Sequence, residues 1–541
     1  MDVTPRAKRS EAVGNVLDRG LERHPTREAL VSIDARLTYE ALDFAVERAA
    51  SALSTLGIGK DDVVAVSLPN ESAVVVTFHA LMRLGAVWVG VNQNLAPPEK
   101  AFILHDSDAQ FLLTDPGVAA SLTADLDGPF APKVLVVSVG TEEWASRTAN
   151  APTSYQRPLR QGTDVAAIAY TSGTTGRPKG VLHSHQNLLL PGAMLVRARR
   201  FGPELRKGDC AALTILNMQV TSTLLVAQAG GTQIVMDRFD PRGIAHWVRT
   251  ESVNSWFGVP TTLQGLVDST DVTSHDLRTL SDIWTGGTHL PPFLRNAFAT
   301  RFGHRISATY GMTEVPTVVT IEAQTGSQFP GSSGQALPHL LVEIRDSGDV
   351  VQPPGKIGEI TVRAQNEGPW AEQYRPMLGY LGHPEATAAT IRDQILRTGD
   401  IGHLDELGNL YVHDRGNALI LRGGANVYPA EVERVLLQFG GVNAASVVGV
   451  PDDRLGQRVA AVIEAREGAM LDIDALRSYC TSQLARYKVP ELWDIGSLPR
   501  NAMGKVSQTE VVRRLTNLNE PATITNRHRT PDQRESDDDG P

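Results

Sequence analysis

Residues 170–180 read YTSGTTGRPKG. Residues 165–169 (VAAIA) ahead of them form a short apolar run typical of a buried strand, and 180–183 (GVLH) behind them read as another. The eleven residues hold three Gly, three Thr, one Ser, one Pro and two basic side chains. Gly lets backbone N–H groups converge on an anion with no Cβ in the way, and hydroxyls and a mobile Lys179 add further donors. That mixture suits polyphosphate. A short Gly-rich stretch is ordinarily just a hairpin turn, but hydroxyls and cations packed at one place weaken that reading. A Walker loop fails on spacing. It requires Gly-Lys-Ser/Thr, whereas Lys179 stands between Pro178 and Gly180 and a strand follows it instead of a helix.

Outward from the loop, short strand-like runs alternate with helical spacing. Residues 63–68 (VVAVSL), 86–91 and 111–114 read as strands, and 72–84 and 98–105 as helices, the first ending at Gly85. Thr38 caps a helix that places Leu42, Val46, Ala50 and Leu53 on one face. Such alternation predicts parallel sheets.

The chain has 541 residues, too many for one core. A boundary is expected at 414–418 (DRGNA), followed by a small domain with strands at 445–450 and 459–464 and a helix over 472–486. From about 518 the sequence is charged, Pro-containing and nearly devoid of large apolar residues, which predicts a disordered tail.

Composition narrows the function. Hydrophobic residues are 41% and charged residues 21%, as in ordinary soluble domains, and the net charge of −10 with no basic stripe argues against a nucleic-acid partner. Cys210 and Cys480 stand far apart outside any CxxC, so no disulfide framework is expected and a reducing cytoplasm fits. No secretory signal or membrane-length apolar run is present in the sequence given. Composition leaves a homo-oligomer open. His183 and His185, two apart, carry little weight as a metal pair and are expected to be structural or capping.

In this order along the chain, the loop at 170–180, Gly286-Gly287-Thr288, 310–314 (YGMTE), 396–405 (LRTGDIGHLD), Arg415, 422–431 (RGGANVYPAE) and 499–505 (PRNAMGK) resemble the motifs of the adenylate-forming superfamily. That superfamily comprises acyl-CoA synthetases, adenylation domains of peptide synthetases and luciferases, and the resemblance spans almost all of the chain to about 515.

It implies a mixed α/β fold: a large N-terminal domain (1–416) of parallel β/α layers plus a β-barrel-like part, then a small mobile α+β domain (417–517). It also implies site residues. ATP phosphates would lie against Thr171, Ser172, Gly173, Thr174, Thr175, Gly176 and Lys179. Gly287, Thr288, Tyr310, Gly311 and Met312 would border adenine, and Thr313 the α-phosphate or carboxylate. Glu314 would hold Mg2+, Asp400 the ribose hydroxyls, and Arg415 ribose and phosphate oxygens. Gly423 and Gly424 would line the CoA tunnel, and Lys505 would be the adenylation lysine.

The implied activity is ATP-driven ligation of a carboxylic acid to CoA through acyl-AMP, with ATP, CoA and the acid as small-molecule partners. Two alternatives stand beside it: an acyl-AMP ligase serving a separate carrier protein, and a non-catalytic nucleotide-binding relative. Retention of Lys179, Glu314, Asp400, Arg415 and Lys505 argues against the last.

Two departures from the family pattern matter. The usual polar hinge position matches Ala418, with Gly416 nearby for flexibility. Residues 213–220 (LTILNMQV) put Leu216, Asn217 and Val220 where many acyl-CoA synthetases have an aromatic, His and Gly. An acyl pocket of Asn217, Met218, Gln219, Val220, Val259, Trp284 and Gly286 carries no charge, which favours an apolar monocarboxylic acid over an amino acid.

Lys505→Ala is expected to slow adenylation by about a hundredfold, the scale of one preorganised donor, while sparing thioester formation from supplied acyl-AMP. Separate assays of the two half-reactions check this, and equal damage to both would contradict it.

Overall fold

A hairpin of β1 (Glu28–Val31) and β2 (Arg36–Thr38) leads directly into α1 (Tyr39–Thr55), because Thr38 is both the last strand residue and the helix cap. Its Oγ1 accepts the Ala41 N–H at 3.2 Å, a contact of about 1 kcal/mol. Leu42, Val46, Ala50 and Leu53 are all buried, as their spacing requires. The computed structural model describes residues 12–95, 97–120, 135–171, 178–287, 290–415, 420–422, 425–427, 429–452, 455–484, 486–500 and 506–519.

Next come β3 (Val63–Ser67), α2 (Ser72–Leu84), β4 (Val87–Gly90), α3 (Pro97–Asp106), β5 (Phe111–Thr114) and β6 (Leu135–Ser138). Their strands pair in parallel, and β7 (Val165–Thr171) joins in parallel beside β4. Then the direction reverses. Only residues 172–178 separate β7 from β8 (Lys179–Ser184), too few for a parallel crossover. So β8 runs antiparallel, with Thr171 opposite Lys179 and Tyr170 opposite Gly180. α4 (His185–Ala198) starts immediately, capped by the Ser184 hydroxyl, which accepts the Asn187 N–H at 3.2 Å.

The second sheet is built from β9 (Arg206–Asp209), β10 (Thr232–Val235), β11 (Ser255–Phe257), β12 (Asp282–Thr285) and β13 (Ile306–Met312). These run parallel with β1. β10 and β12 are buried throughout, as expected of strands covered on both faces. Antiparallel β14 (Thr317–Ile321) and β15 (Gln335–Ala336) complete nine strands among the described residues.

The part expected to be barrel-like is an antiparallel sheet of β16 (Leu340–Arg345), β17 (Gly358–Ala364), β19 (Ile391–Arg392), β20 (Ile395–Leu404) and β21 (Leu410–Arg415). Between them in sequence, β18 (Gly379–Tyr380) leaves that sheet and pairs antiparallel with β8 at the edge of the first.

The chain divides into two units, residues 1–417 and 418–541. The second is a mixed sheet of β22 (Ile420–Arg422), β23 (Ala425–Val427), β24 (Val442–Asp452), β25 (Gly456–Ala465) and β26 (Leu492–Ile495). Alternation along β24 and β25 serves two cores. Val447, Val459, Ala461 and Ile463 pack with α5 (Pro429–Leu436) and α6 (Ile473–Gln483), while Val448, Ala460 and Val462 pack with Val511 and Leu515 of α7 (Gln508–Asn519). α7 therefore runs past residue 518, where the tail was expected to begin, and residues from 520 lie outside the described ones. No helix among the described residues is long and apolar enough to cross a membrane.

Among the described residues of the first unit, four imidazoles are buried. Burial holds His79 and His339 down to about 3 and His183 and His185 down to about 4, against an ordinary 6.5. The unfolded chain takes up these protons below about 6.5 and the folded chain does not. Stability from these groups is therefore complete above pH 6.5 and falls as the pH drops from there towards 4. Thermal midpoints measured between about pH 8 and pH 4.5 should be steady at the upper end and decline below 6.5. A midpoint unchanged down to pH 5 would contradict buried neutral imidazoles.

Candidate active site

β8 sets the site because period-two alternation puts Lys179, Val181 and His183 on one face. Tyr380 of β18 stands directly opposite Val181 and so shares that face. The Lys179 Nζ lies 5.3 Å from the centre of the Tyr380 ring, and the Tyr380 hydroxyl donates to Glu314 Oε1 at 2.9 Å. At the other end of β8, the His183 ring lies against the backbone of Thr313, close enough to favour its charged form slightly against the dominant effect of burial. Neither His183 nitrogen has hydrogen-bonding geometry to a partner. His183 of β8 thus lies at Thr313, and Tyr380 of β18 links Lys179 to Glu314.

Thr171 ends β7 and Lys179 begins β8, so the Gly/Thr loop connects two antiparallel strands. Ser172, Gly173, Thr174, Thr175 and Gly176 lie outside the described residues. The entry strand is fixed by Tyr170, whose hydroxyl donates to Asp106 Oδ2 at 2.7 Å while its ring meets Phe102 edge-on.

β13 carries the YGMTE stretch. Its register against β14 shifts between Tyr310 and Gly311, and a Cβ on Gly311 would stand 1.7 Å from the Thr317 carbonyl oxygen, so only Gly fits. Gly311 is exposed, Met312 and Thr313 are half-buried, and Glu314 is buried. The Glu314 carbonyl accepts the Met377 N–H at 3.1 Å, which ties the turn to the segment leading into β18.

Tyr310 reaches the other way: its hydroxyl donates to Asp400 Oδ2 at 2.7 Å. Asp400 is buried in β20 and stands opposite Arg415 in the pairing with β21. Gly286 follows β12 beside the Thr309 hydroxyl, and Gly287 adopts φ +82° facing open space. Thr288, Gly416, Ala418, Gly423, Gly424 and Lys505 lie outside the described residues.

The segment expected to line the acyl group is a short helix, Leu216–Met218, that widens into a π-helical turn, Gln219–Leu224. Such turns recur at functional sites. Asn217 is half-buried, Met218, Gln219 and Val220 are buried, and Val259 is 40% exposed at the start of the helix Pro260–Asp268. The Gln219 amide donates to the Leu213 carbonyl at 2.7 Å. The Trp284 side chain is enclosed: it stacks on Phe201, donates its indole N–H to Asp282 and has the Lys207 Nζ 4.9 Å from its ring.

These segments meet at Asp209, at the end of β9. Burial pushes its carboxyl up, while Lys207, the Ser222 hydroxyl and the Phe257 amide pull it down. Lys207 and Asp209 pair at 3.0 Å with both side chains fully buried.

Sequence reading missed Tyr380, Lys207 and Asp209. Tyr380 lies 66 residues from Glu314 along the chain, and nothing local marks it. A Lys-Gly-Asp at the end of a buried strand was a visible signal for the other two. His183 and His185 do not form a pair: His183 belongs to β8, whereas His185 opens α4 and accepts the Val13 N–H at 3.3 Å on Nδ1.

A sequence profile described as AMP-binding enzyme matches residues 17–369, and one described as AMP-binding enzyme C-terminal domain matches 431–505. A feruloyl-CoA synthase of Amycolatopsis sp. is 35% identical over 92% of this chain and 99% of its own. The long-chain-fatty-acid–CoA ligase FadD13 of Mycobacterium tuberculosis is 30% identical over 92% of this chain and 97% of its own. Among solved structures, ATP-bound MatB from Rhodopseudomonas palustris superposes with a TM-score of 0.84 at 28% identity, covering 93% of this chain and 99% of that one.

Asp400→Ala is expected to raise the KM for ATP at least tenfold, the scale of losing hydrogen bonds to a charged group, and to leave the KM for the acid within about twofold. Steady-state kinetics with each substrate varied in turn checks this. An equal rise in both would point to a collapsed site.

Proposed function

The chain belongs to the AMP-binding enzyme family and is an AMP-forming ligase of acids to CoA; from that premise we propose which residues carry the chemistry and which acids it takes. The observation that supports the site assignment most is the Tyr310–Glu314 stretch: Tyr310 donates to Asp400, and Glu314 accepts from Tyr380, whose ring faces Lys179.

Adenosine sits with its base against Tyr310 and its ribose hydroxyls on Asp400, helped by Arg415. The phosphates take Lys179 and the donors of the hairpin turn. Thr313 orients the substrate carboxylate against the α-phosphorus. The carboxylate oxygen attacks, a new P–O bond forms, the bond to the leaving oxygen breaks, and pyrophosphate departs. Both reactants are anions, so the protein contributes position and compensating charge and needs no nucleophile of its own. Lys505 supplies part of that charge. In the second step the CoA thiol, guided by Gly423 and Gly424, attacks the acyl carbon, AMP leaves and the thiol proton passes to solvent.

Glu314 fits Mg2+ in the manner usual beside nucleotides. It is one buried carboxylate with no group of three metal-binding side chains among the described residues, so phosphate oxygens would complete the shell. Bound there, the ion would neutralise phosphate charge. With both cysteines free, the reducing cytoplasm suits the chain.

For the acid we infer a compact, apolar monocarboxylate bearing a ring or branch. Asn217, Met218, Gln219, Val220 and Val259 carry no charge, and the buried Lys207 and Asp209 of β9 pair with each other. Met218 and Val220 are buried, and Val220 is bulkier than the Gly that many acyl-CoA synthetases have at the matching position, which would narrow room for an extended chain. The feruloyl-CoA relative, which by name acts on an aromatic acid, supports the ring-bearing reading.

A panel of straight, branched and aryl acids assayed for CoA thioester by mass should give the highest kcat/KM for an aryl or branched acid. Clear preference for plain C12–C18 chains would refute the substrate class. Acid-dependent pyrophosphate exchange without thioester would point to a carrier-protein acceptor.

A further inference from the structure

Tyr380 takes no part in the steps above, yet it touches both Lys179 and Glu314. Its backbone is fixed on every side. The strand pairs Tyr380 with Val181, the Leu378 and Leu381 N–H groups donate to the Leu182 and Gly180 carbonyls at 2.8 Å, and the Tyr380 N–H donates to Thr387 Oγ1 at 2.9 Å. The ring is therefore a rigid element between a long flexible cation and a buried anion.

We propose that Tyr380 is a positioning residue for adenylation: its phenol holds the Glu314 carboxylate and the Lys179 ammonium apart, so that neither neutralises the other before the nucleotide arrives. This rests on the adenylating reading of the site. Opposite charges on neighbouring mobile side chains attract strongly where water is excluded. If Lys179 closed onto Glu314, the phosphates would lose a cation and the carboxylate would lose its acceptor capacity. The two faces of tyrosine prevent this by different means. The π face attracts the ammonium without hydrogen-bonding it tightly, and the hydroxyl offers the carboxylate one directed donor that an incoming ligand can replace. Both charges stay in place and exchangeable.

The parts separate by substitution. Tyr380→Phe keeps the ring that faces Lys179 and loses the donor to Glu314, whereas Tyr380→Leu loses both. Full-length variants are compared by acid-dependent pyrophosphate exchange and by calorimetric titration with ATP in the absence of turnover, with thermal midpoints as the folding control. Tyr380→Phe should lower the exchange kcat about tenfold and leave the Kd for ATP within twofold. Tyr380→Leu should weaken ATP binding about tenfold as well. Adding Glu314→Gln to Tyr380→Leu should restore most of that binding in metal-free titrations, because Lys179 then faces no carboxylate.

Wild-type exchange by Tyr380→Phe overturns the proposal, as does an equal loss in both variants with ATP binding untouched. So does a double variant that binds ATP no better than Tyr380→Leu. If Tyr380→Leu does not fold, the Phe variant decides alone. Absence of acid-dependent exchange in the wild type would instead defeat the adenylating reading, and the ATP titrations would still judge Tyr380.

Discussion

One reversal of strand direction organises the first unit. β8 turns back against β7 in a sheet whose other early strands run parallel, and its outer edge then receives β18. That edge brings Tyr380 onto the face that already carries Lys179 and His183. A slip of one residue between β7 and β8 would move all of these side chains to the opposite face. The register is held from the β7 side by the Tyr170–Asp106 hydrogen bond and from the β18 side by the amides of Leu378 and Leu381. The strands on either side of the Gly/Thr loop are thus held in register from both edges.

The carboxylates divide into two kinds by the partner each keeps. Glu314 and Asp400, assigned here to the nucleotide, each accept a hydrogen bond from a tyrosine hydroxyl. Deeper carboxylates, such as Asp209 with Lys207 and Asp282 with Arg199, are matched by buried cations. A phenol orients a carboxylate without cancelling its charge, so an arriving hydroxyl or cation can take its place. A buried ion pair resists such exchange, since removing one partner strands the other in a medium that solvates it poorly. The second kind fixes architecture: Asp282 is matched by Arg199 from the far end of α4, and Asp209 by Lys207 within β9.

Local readings succeeded where spacing alone determines the outcome. The Thr38 cap, the four-residue stripe of α1, the helix from Ser72 to Leu84 and the strand at 111–114 all lie where their periodicity puts them. The loop between β7 and β8 was also legible, because its length forbids a crossover. Less was visible around residues 213–224. The departure at Asn217 could be seen, but not the widening of the helix there into a π turn. Trp284 shows the same limit. Its strand was readable, whereas its enclosure by Phe201, Lys207 and Asp282 was not.

The sequence by itself determined the alternation of strands and helices, the phosphate-suited loop, and the order of motifs that places this chain among adenylate-forming ligases. Each depends on residues close together in the chain, where steric preference and spacing act directly. Only the tertiary structure decided that Tyr380 would stand between Lys179 and Glu314, and that Tyr310 would hold Asp400. Those contacts join residues tens to hundreds of positions apart. They follow from which sheet edge β18 chose, and that choice is settled by backbone pairing, which no side-chain pattern in the linear sequence records.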